Sequence, residues 1–257
     1  MPTWDEFAWA AFLYGATDGD SDYQDLMGQT QFLNSLRANP RELQTSQIQQ
    51  QLILGFINRW NCRAKNTQES AQAIRTILQH LLPYLQVLNR FTIMDVNFTG
   101  TVSVNNNQMT VSKVIDSYYK KVKTIGYRFG PTATSKLLHI LQPELFVMWD
   151  KDIINYYKNN NNQNVSNTGQ GYCVYLKKMQ ETAKQVYRSF QKAVLNTSVG
   201  ANQNPADYLS TQMMYNPPKT LAKYLDEYNW ITKTKKVQVP PFWHPDMNKR
   251  YYRLTNR

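Results

Sequence analysis

The sequence predicts a mainly α-helical, multi-helix bundle with at most a small β ribbon near residues 99–111, and three observations carry that expectation. Apolar residues recur at the i, i+3, i+4 spacing of one helical face through most of the chain. The cleanest run, Tyr172 to Leu195, repeats Tyr172, Leu176, Met179, Ala183, Val186, Phe190 and Ala193. Only Phe91 to Thr110 changes character, its TGTVSV, NNNQ and MTV segments having the β-branched and turn chemistry of a strand pair.

In chain order, Trp4 to Tyr14 places Trp4, Phe7, Ala8, Ala11 and Phe12 on one side of a helix. The first 30 residues hold six acidic side chains and no basic one. DGDSDYQD at 18–25 has the carboxylate spacing of a calcium loop. Tyr23 stands where that loop needs Gly, and Gln29 where it needs a bidentate Glu, so a solvated, helix-capping turn is the better expectation. From Thr45 onward, Ile48, Leu52, Ile53, Phe56, Ile57 and Trp60 mark a strong helix. Glu69 to Leu82 follows, with Ala71, Ile74, Ile77, Leu78 and Leu81 inward and Pro83 expected to stop it.

Val111, Val114, Ile115, Tyr118, Val122 and Ile125 form the next apolar face, with Lys120, Lys121 and Lys123 towards its negative C-terminal end. The turn IGYRFGP sets Gly126 and Gly130 four apart before Pro131, so the chain reverses sharply and Thr132 to Leu141 resumes as helix. KNNNNQNVSNTGQG at 158–171 reads as a polar low-complexity loop. The long helix beyond it carries Lys177, Lys178, Lys184, Arg188 and Lys192 opposite its apolar face, a solvated stripe or a phosphate-facing surface. Two further helices, Asn204 to Met214 and Lys219 to Trp230, are separated by Pro217 and Pro218.

With 42% apolar and 13% aromatic residues, 257 residues build one compact helical unit, 1–257, divisible into lobes 1–110 and 111–216 and a basic, aromatic tail, 217–257. From Pro217 onward nine Lys/Arg face three Asp/Glu. That tail suits phosphate neutralisation and base stacking, or docks its aromatics on the core. The net charge of +11 and pI of 9.5 favour a polyanionic partner, nucleic acid or an anionic membrane surface. No apolar run reaches membrane-span length, and Asp5 and Glu6 stand where a secretory leader would be basic, so a cytoplasmic protein is expected. Cys62 and Cys173 are too few for a disulfide framework and share no metal-ligand spacing with His80, His139 or His244; no metal and no cofactor are expected. The chain lacks the GxxxxGK[ST], GxGxxG and GxSxG patterns that P-loop, dinucleotide-binding and serine-hydrolase sites require.

The chemistry concentrates between Val111 and Tyr157. A hairpin turn followed by a helix start presents backbone N–H groups to one phosphate, with the hydroxyls of Thr132, Thr134 and Ser135 beside them and Lys136 one turn in. Asp150 follows the apolar run Leu145 to Trp149. It caps the helix DKDIINYY, or it is held at a pocket, and the two roles are compatible.

The run GYRFGPTATSKLLHILQPELFVMWDKDI resembles the core of the helix-hairpin-helix superfamily of DNA glycosylases, over roughly residues 110–157. The family hairpin reads like Leu-Pro-Gly-Val-Gly, where this chain has Ile125 to Gly130. The resemblance implies a helix-hairpin-helix glycosylase-like bundle that flips a nucleotide from double-stranded DNA and hydrolyses its N-glycosidic bond. Asp150 would be the catalytic carboxylate, stabilising positive charge on the sugar and orienting water. Lys136 would partner a phosphate or Asp150. Gly126, Arg128, Gly130, Thr132, Thr134 and Ser135 would grip the DNA backbone, and Trp149 and Tyr127 would stack on the flipped base. The place of a Schiff-base lysine falls near Ala133, which implies a monofunctional enzyme, and two cysteines cannot hold the iron–sulfur cluster of some relatives. A monomeric, nucleoid-associated enzyme acting on a damaged or foreign modified base is the expectation. The rivals are a non-catalytic nucleic-acid-binding module and an enzyme acting on modified nucleosides.

Overall fold

A computed structural model of the chain describes residues 1–29, 34, 47–60, 62, 68–125, 129–160, 165–194 and 203–238. Gly126, Tyr127 and Arg128 of the hairpin turn lie outside the described residues, as does the tail from residue 239. The described chain is mainly helical: α1 Trp4–Gly15, α2 Asp18–Met27, α3 Gln47–Arg59, α4 Gln68–Leu88, α5 Val111–Ile125, α6 Pro131–Leu141, α7 Lys151–Asn160, α8 Gly169–Val194, α9 Pro205–Gln212 and α10 Leu221–Asn229. A π turn, Trp230–Thr234, extends α10. Strands β1 Thr101–Val104 and β2 Asn107–Thr110 pair antiparallel, Thr101 opposite Thr110 and Val104 opposite Asn107. Asn105 and Asn106 make their two-residue turn with φ of 49° and 65°, the left-handed pair that a tight hairpin requires and that Asn tolerates.

α1 starts with a reciprocal cap: the Glu6 N–H donates to the Thr3 hydroxyl at 3.3 Å and the Thr3 N–H to the Glu6 carboxylate at 2.8 Å. It is buried on two sides, Trp4, Phe7, Ala8 and Ala11 against the main core and Trp9, Ala10 and Tyr14 against Ile231. The expected helix after residue 69 does not stop at Pro83. α4 runs on to Leu88 because Leu81, Leu85 and Leu88 continue its inner face, all fully buried, and that burial outweighs the lost backbone hydrogen bond. DGDSDYQD is likewise no solvated turn. It forms α2, which sends Asp20, Tyr23, Leu26 and Met27 inward.

α5 packs between α4 and α8, and α1 lies against α8 and α10. One apolar core runs through these elements from Trp4 to Leu225. α8 begins at Gly169 within the expected polar loop, capped by the Thr168 hydroxyl, which accepts from the Gly171 N–H at 3.1 Å, and it starts so close to α5 that a Cβ at 169 would strike Asp116. No helix of the described residues is long and apolar enough to cross a membrane.

Residues 142–150 position everything that follows. Leu145, Phe146, Val147, Met148 and Trp149 are each 0–1% exposed, yet they belong to no helix or strand, so their backbone groups need other partners. The Leu145 and Phe146 N–H groups donate to the Gln142 carbonyl, and side chains supply several of the others. Tyr172 and Tyr175 of α8 donate to the Val147 and Met148 carbonyls at 2.8 and 2.9 Å, and His139 of α6 donates through Nδ1 to the Phe146 carbonyl at 2.6 Å. The other ring nitrogen of His139, Nε2, lies 2.9 Å from the Tyr23 hydroxyl, which ties the wall to α2. The Ser135 hydroxyl accepts from the Trp149 N–H at 3.2 Å. The segment is thereby a rigid wall that delivers Asp150 to the start of α7.

Candidate functional site

A cleft of about 690 Å³ opens on the far side of that wall. Its described lining brings together Tyr14 at the end of α1, Asp18 and Asp22 of α2, Trp60 and Cys62 after α3, and Gly130 to Ala133 with Lys136 at the start of α6. Met148 to Ile153, Asp226 of α10 and Trp230 complete it. Asp150 and Lys136, joined in the sequence only by inference, share this cleft.

Asp150 is held at both oxygens. Oδ1 accepts from the Ile153 N–H at 2.8 Å and so caps α7, while Oδ2 accepts from the Thr234 hydroxyl at 2.8 Å. The cap and the pocket position therefore coincide in one side chain. Lys136 is 8% exposed, and its ammonium donates to the Trp60 carbonyl at 2.5 Å and lies 5.0 Å above the Trp60 ring. Among the described residues no carboxylate comes within ion-pair distance of it. Burial lowers its proton affinity, and the neighbouring Cys62 thiol, Asp226 and Asp150 act in the opposite direction. The Cys62 thiol is raised by burial, against Lys136.

The other expected site residues divide. Gly130 and Thr132 reach the cleft surface. Thr134 and Ser135 are 0% exposed, and the Ser135 hydroxyl is committed to Thr132 and Trp149, so the phosphate grip expected of these two hydroxyls is not presented at the surface. Trp149 borders the cleft but is 1% exposed, packed against Tyr119, Tyr172 and Tyr175 with its indole N–H donating to the Pro131 carbonyl at 3.3 Å. The cleft aromatics with open surface are Trp60 and Trp230, both half-buried. Tyr127 lies outside the described residues.

Sequence reasoning did not find Asp226, Trp60, Trp230 or Thr234, which tertiary contacts bring to the cleft. It also read Lys219 and Lys223 as part of a basic tail. Both are buried, at 2% and 0% exposure. Lys219 pairs with Asp20 and, at 2.8 Å, with Glu227; Lys223 pairs with Asp226 at 3.0 Å and Glu227 at 3.2 Å. Lys223 also lies 4.0 Å from the Tyr14 ring centroid. The available signal was spacing: Lys223 stands three and four residues before Asp226 and Glu227, on one helical face.

The described lining carries five aspartates, Asp18, Asp22, Asp150, Asp152 and Asp226, against Arg59, Lys136 and Lys151. Arg59 is engaged with Asp22 at 3.4 Å. The exposed cations Lys177, Lys184, Arg188 and Lys192 of α8 lie opposite the tyrosines that touch the back of the wall, so that stripe faces away from the cleft. No family model, curated protein or solved structure matches the chain.

Proposed function

We propose that the protein is a monofunctional DNA N-glycosylase that takes one flipped nucleotide into this cleft and hydrolyses its glycosidic bond, with Asp150 as the catalytic carboxylate. The observation that carries the reading is the fixation of Asp150, by its own helix and by Thr234, at the edge of a cleft of about 690 Å³ walled by indole rings. A carboxylate that does not reorganise stabilises the positive charge that develops on the sugar as the base departs. Trp60 and Trp230 offer faces for base stacking, and Lys136, buried without an ion pair among the described residues, offers a donor to a carbonyl or phosphate oxygen. Double-stranded DNA is the partner of this reading.

A second reading, hydrolysis of free modified nucleosides, is favoured by the excess of aspartate in the cleft lining, which repels phosphates. Incubation with duplexes carrying damaged or modified bases, and with the matching nucleosides, separates the two. Abasic sites in DNA that disappear in Asp150→Asn support the glycosylase. Base release from nucleosides alone supports the rival, and release of neither overturns both.

A further inference from the structure

Among the described residues, the buried ion network beneath the cleft does not balance. Lys219 and Lys223 are its two ammoniums, and Asp20, Asp226 and Glu227 are its three carboxylates, all at most 7% exposed. Adding the facing pair Lys136 and Asp150 leaves the same excess of one negative charge. Burying an uncompensated carboxylate is costly, and a bound proton removes the cost.

The three acids are not equivalent hosts for that proton. Asp20 accepts from Lys219 on one oxygen and from the Tyr215 hydroxyl, at 2.7 Å, on the other. Glu227 receives both ammoniums on Oε1, and its Oε2 is sealed from solvent without a partner among the described residues, so it has no opening to the cleft. Asp226 has a single partner, Lys223 on Oδ2, while Oδ1 makes no hydrogen bond among the described residues. Of the three, only Asp226 lines the cleft. Burial raises its proton affinity, Lys223 and Lys136 oppose that, and Asp150 adds to it. Tyr14 of α1, facing the same ammonium of Lys223, is held neutral by burial.

We propose that Asp226 is a second catalytic residue, the general acid that protonates the departing base, acting in the same cleft as Asp150. This rests on the glycosylase reading. In the step, the C1′–N bond breaks, its electron pair goes to the base nitrogen, and that nitrogen takes the proton from Asp226. Water adds to C1′ and releases a proton to solvent by way of Asp150, and Asp226 is reprotonated from solvent. Two carboxyls in one site divide acid and base work in this way.

The test compares wild type, Asp226→Asn, Asp226→Glu and Asp150→Asn on duplexes containing hypoxanthine, uracil or N7-methylguanine, with thermal unfolding of each variant as the folding control. A neutral base departs as an anion unless a general acid protonates it, whereas cationic N7-methylguanine departs as a neutral molecule and gains little from one. Asp226→Asn is expected to lower release of a neutral base about 100-fold or more, to leave N7-methylguanine release within about 3-fold, and to abolish the alkaline fall in kcat/KM for the neutral base. Asp226→Glu restores part of the rate and the pH limb, and Asp150→Asn lowers release of both kinds of base. Equal losses on neutral and cationic bases in a folded Asp226→Asn, no loss on either, or a wild type confined to the cationic base would overturn the assignment. Release of no base by wild type overturns the glycosylase reading itself, and the assignment with it.

Discussion

Asp150 owes its geometry to two hydrogen bonds of different reach. The cap to Ile153 is local and follows from the order of the residues, which is why the sequence reading could hold cap and catalyst together. The bond from Thr234 spans 84 residues and has no local signature. Thr234→Val should leave the cap intact and release only Oδ2, so the rate of base release is expected to fall about 10-fold while stability drops by about 1 kcal/mol, measured by steady-state kinetics and urea unfolding. Lys223 lies at the opposite extreme. Fully buried and serving two carboxylates, it cannot be removed without leaving unpaired charge, and Lys223→Met is expected to cost about 3–5 kcal/mol in the same unfolding assay. A loss below 1 kcal/mol would show that the network is not held as described.

Among the elements, the helices with sustained periodicity were legible because a 3.6-residue apolar repeat states which face is buried. α5 and α8 appear where their repeats lie, and the turn residues of 105–106 mark the β1–β2 ribbon. The failures have physical causes. Pro83 breaks local hydrogen bonding, but three buried leucines around it keep α4 continuous. In α10 a charge-rich helix is buried by α1, distant in sequence, and by α8, and composition alone assigned its lysines to the surface. Gly169 shows how an element start depends on close approach. Gly169→Ala would push a methyl group into Asp116, and a loss of about 1–3 kcal/mol is expected by chemical denaturation, with little effect on the chemistry of the distant cleft.

For the whole molecule, a net charge of +11 coexists with a cleft whose described lining is mostly acidic. Basicity therefore identifies no site by itself; the cleft was legible through Asp150, Lys136 and the start of α6, while Asp226, Asp18 and Asp22 join it from 76 to 132 positions away from Asp150 in sequence. The ion network also sets a pH dependence. Asp226 and Glu227 have proton affinities raised by burial above their ordinary values of 3.8 and 4.5, so the folded chain holds protons that the unfolded chain has released. The stability this contributes is complete below those ordinary values and is lost as pH rises through the raised ones. Unfolding free energy measured as the pH is raised from below those ordinary values should show this component falling, and Asp226→Asn should flatten it.

The central claim, a carboxylate at residue 150 that drives glycosidic cleavage, is tested most directly by quantifying abasic sites formed in modified duplex DNA by wild type and by Asp150→Asn. The account predicts abasic sites with wild type and a loss on the order of 100-fold or more in the variant, with its melting temperature lowered only by the weakened cap. Duplexes left intact by wild type, or cleaved as well by Asp150→Asn, would contradict it.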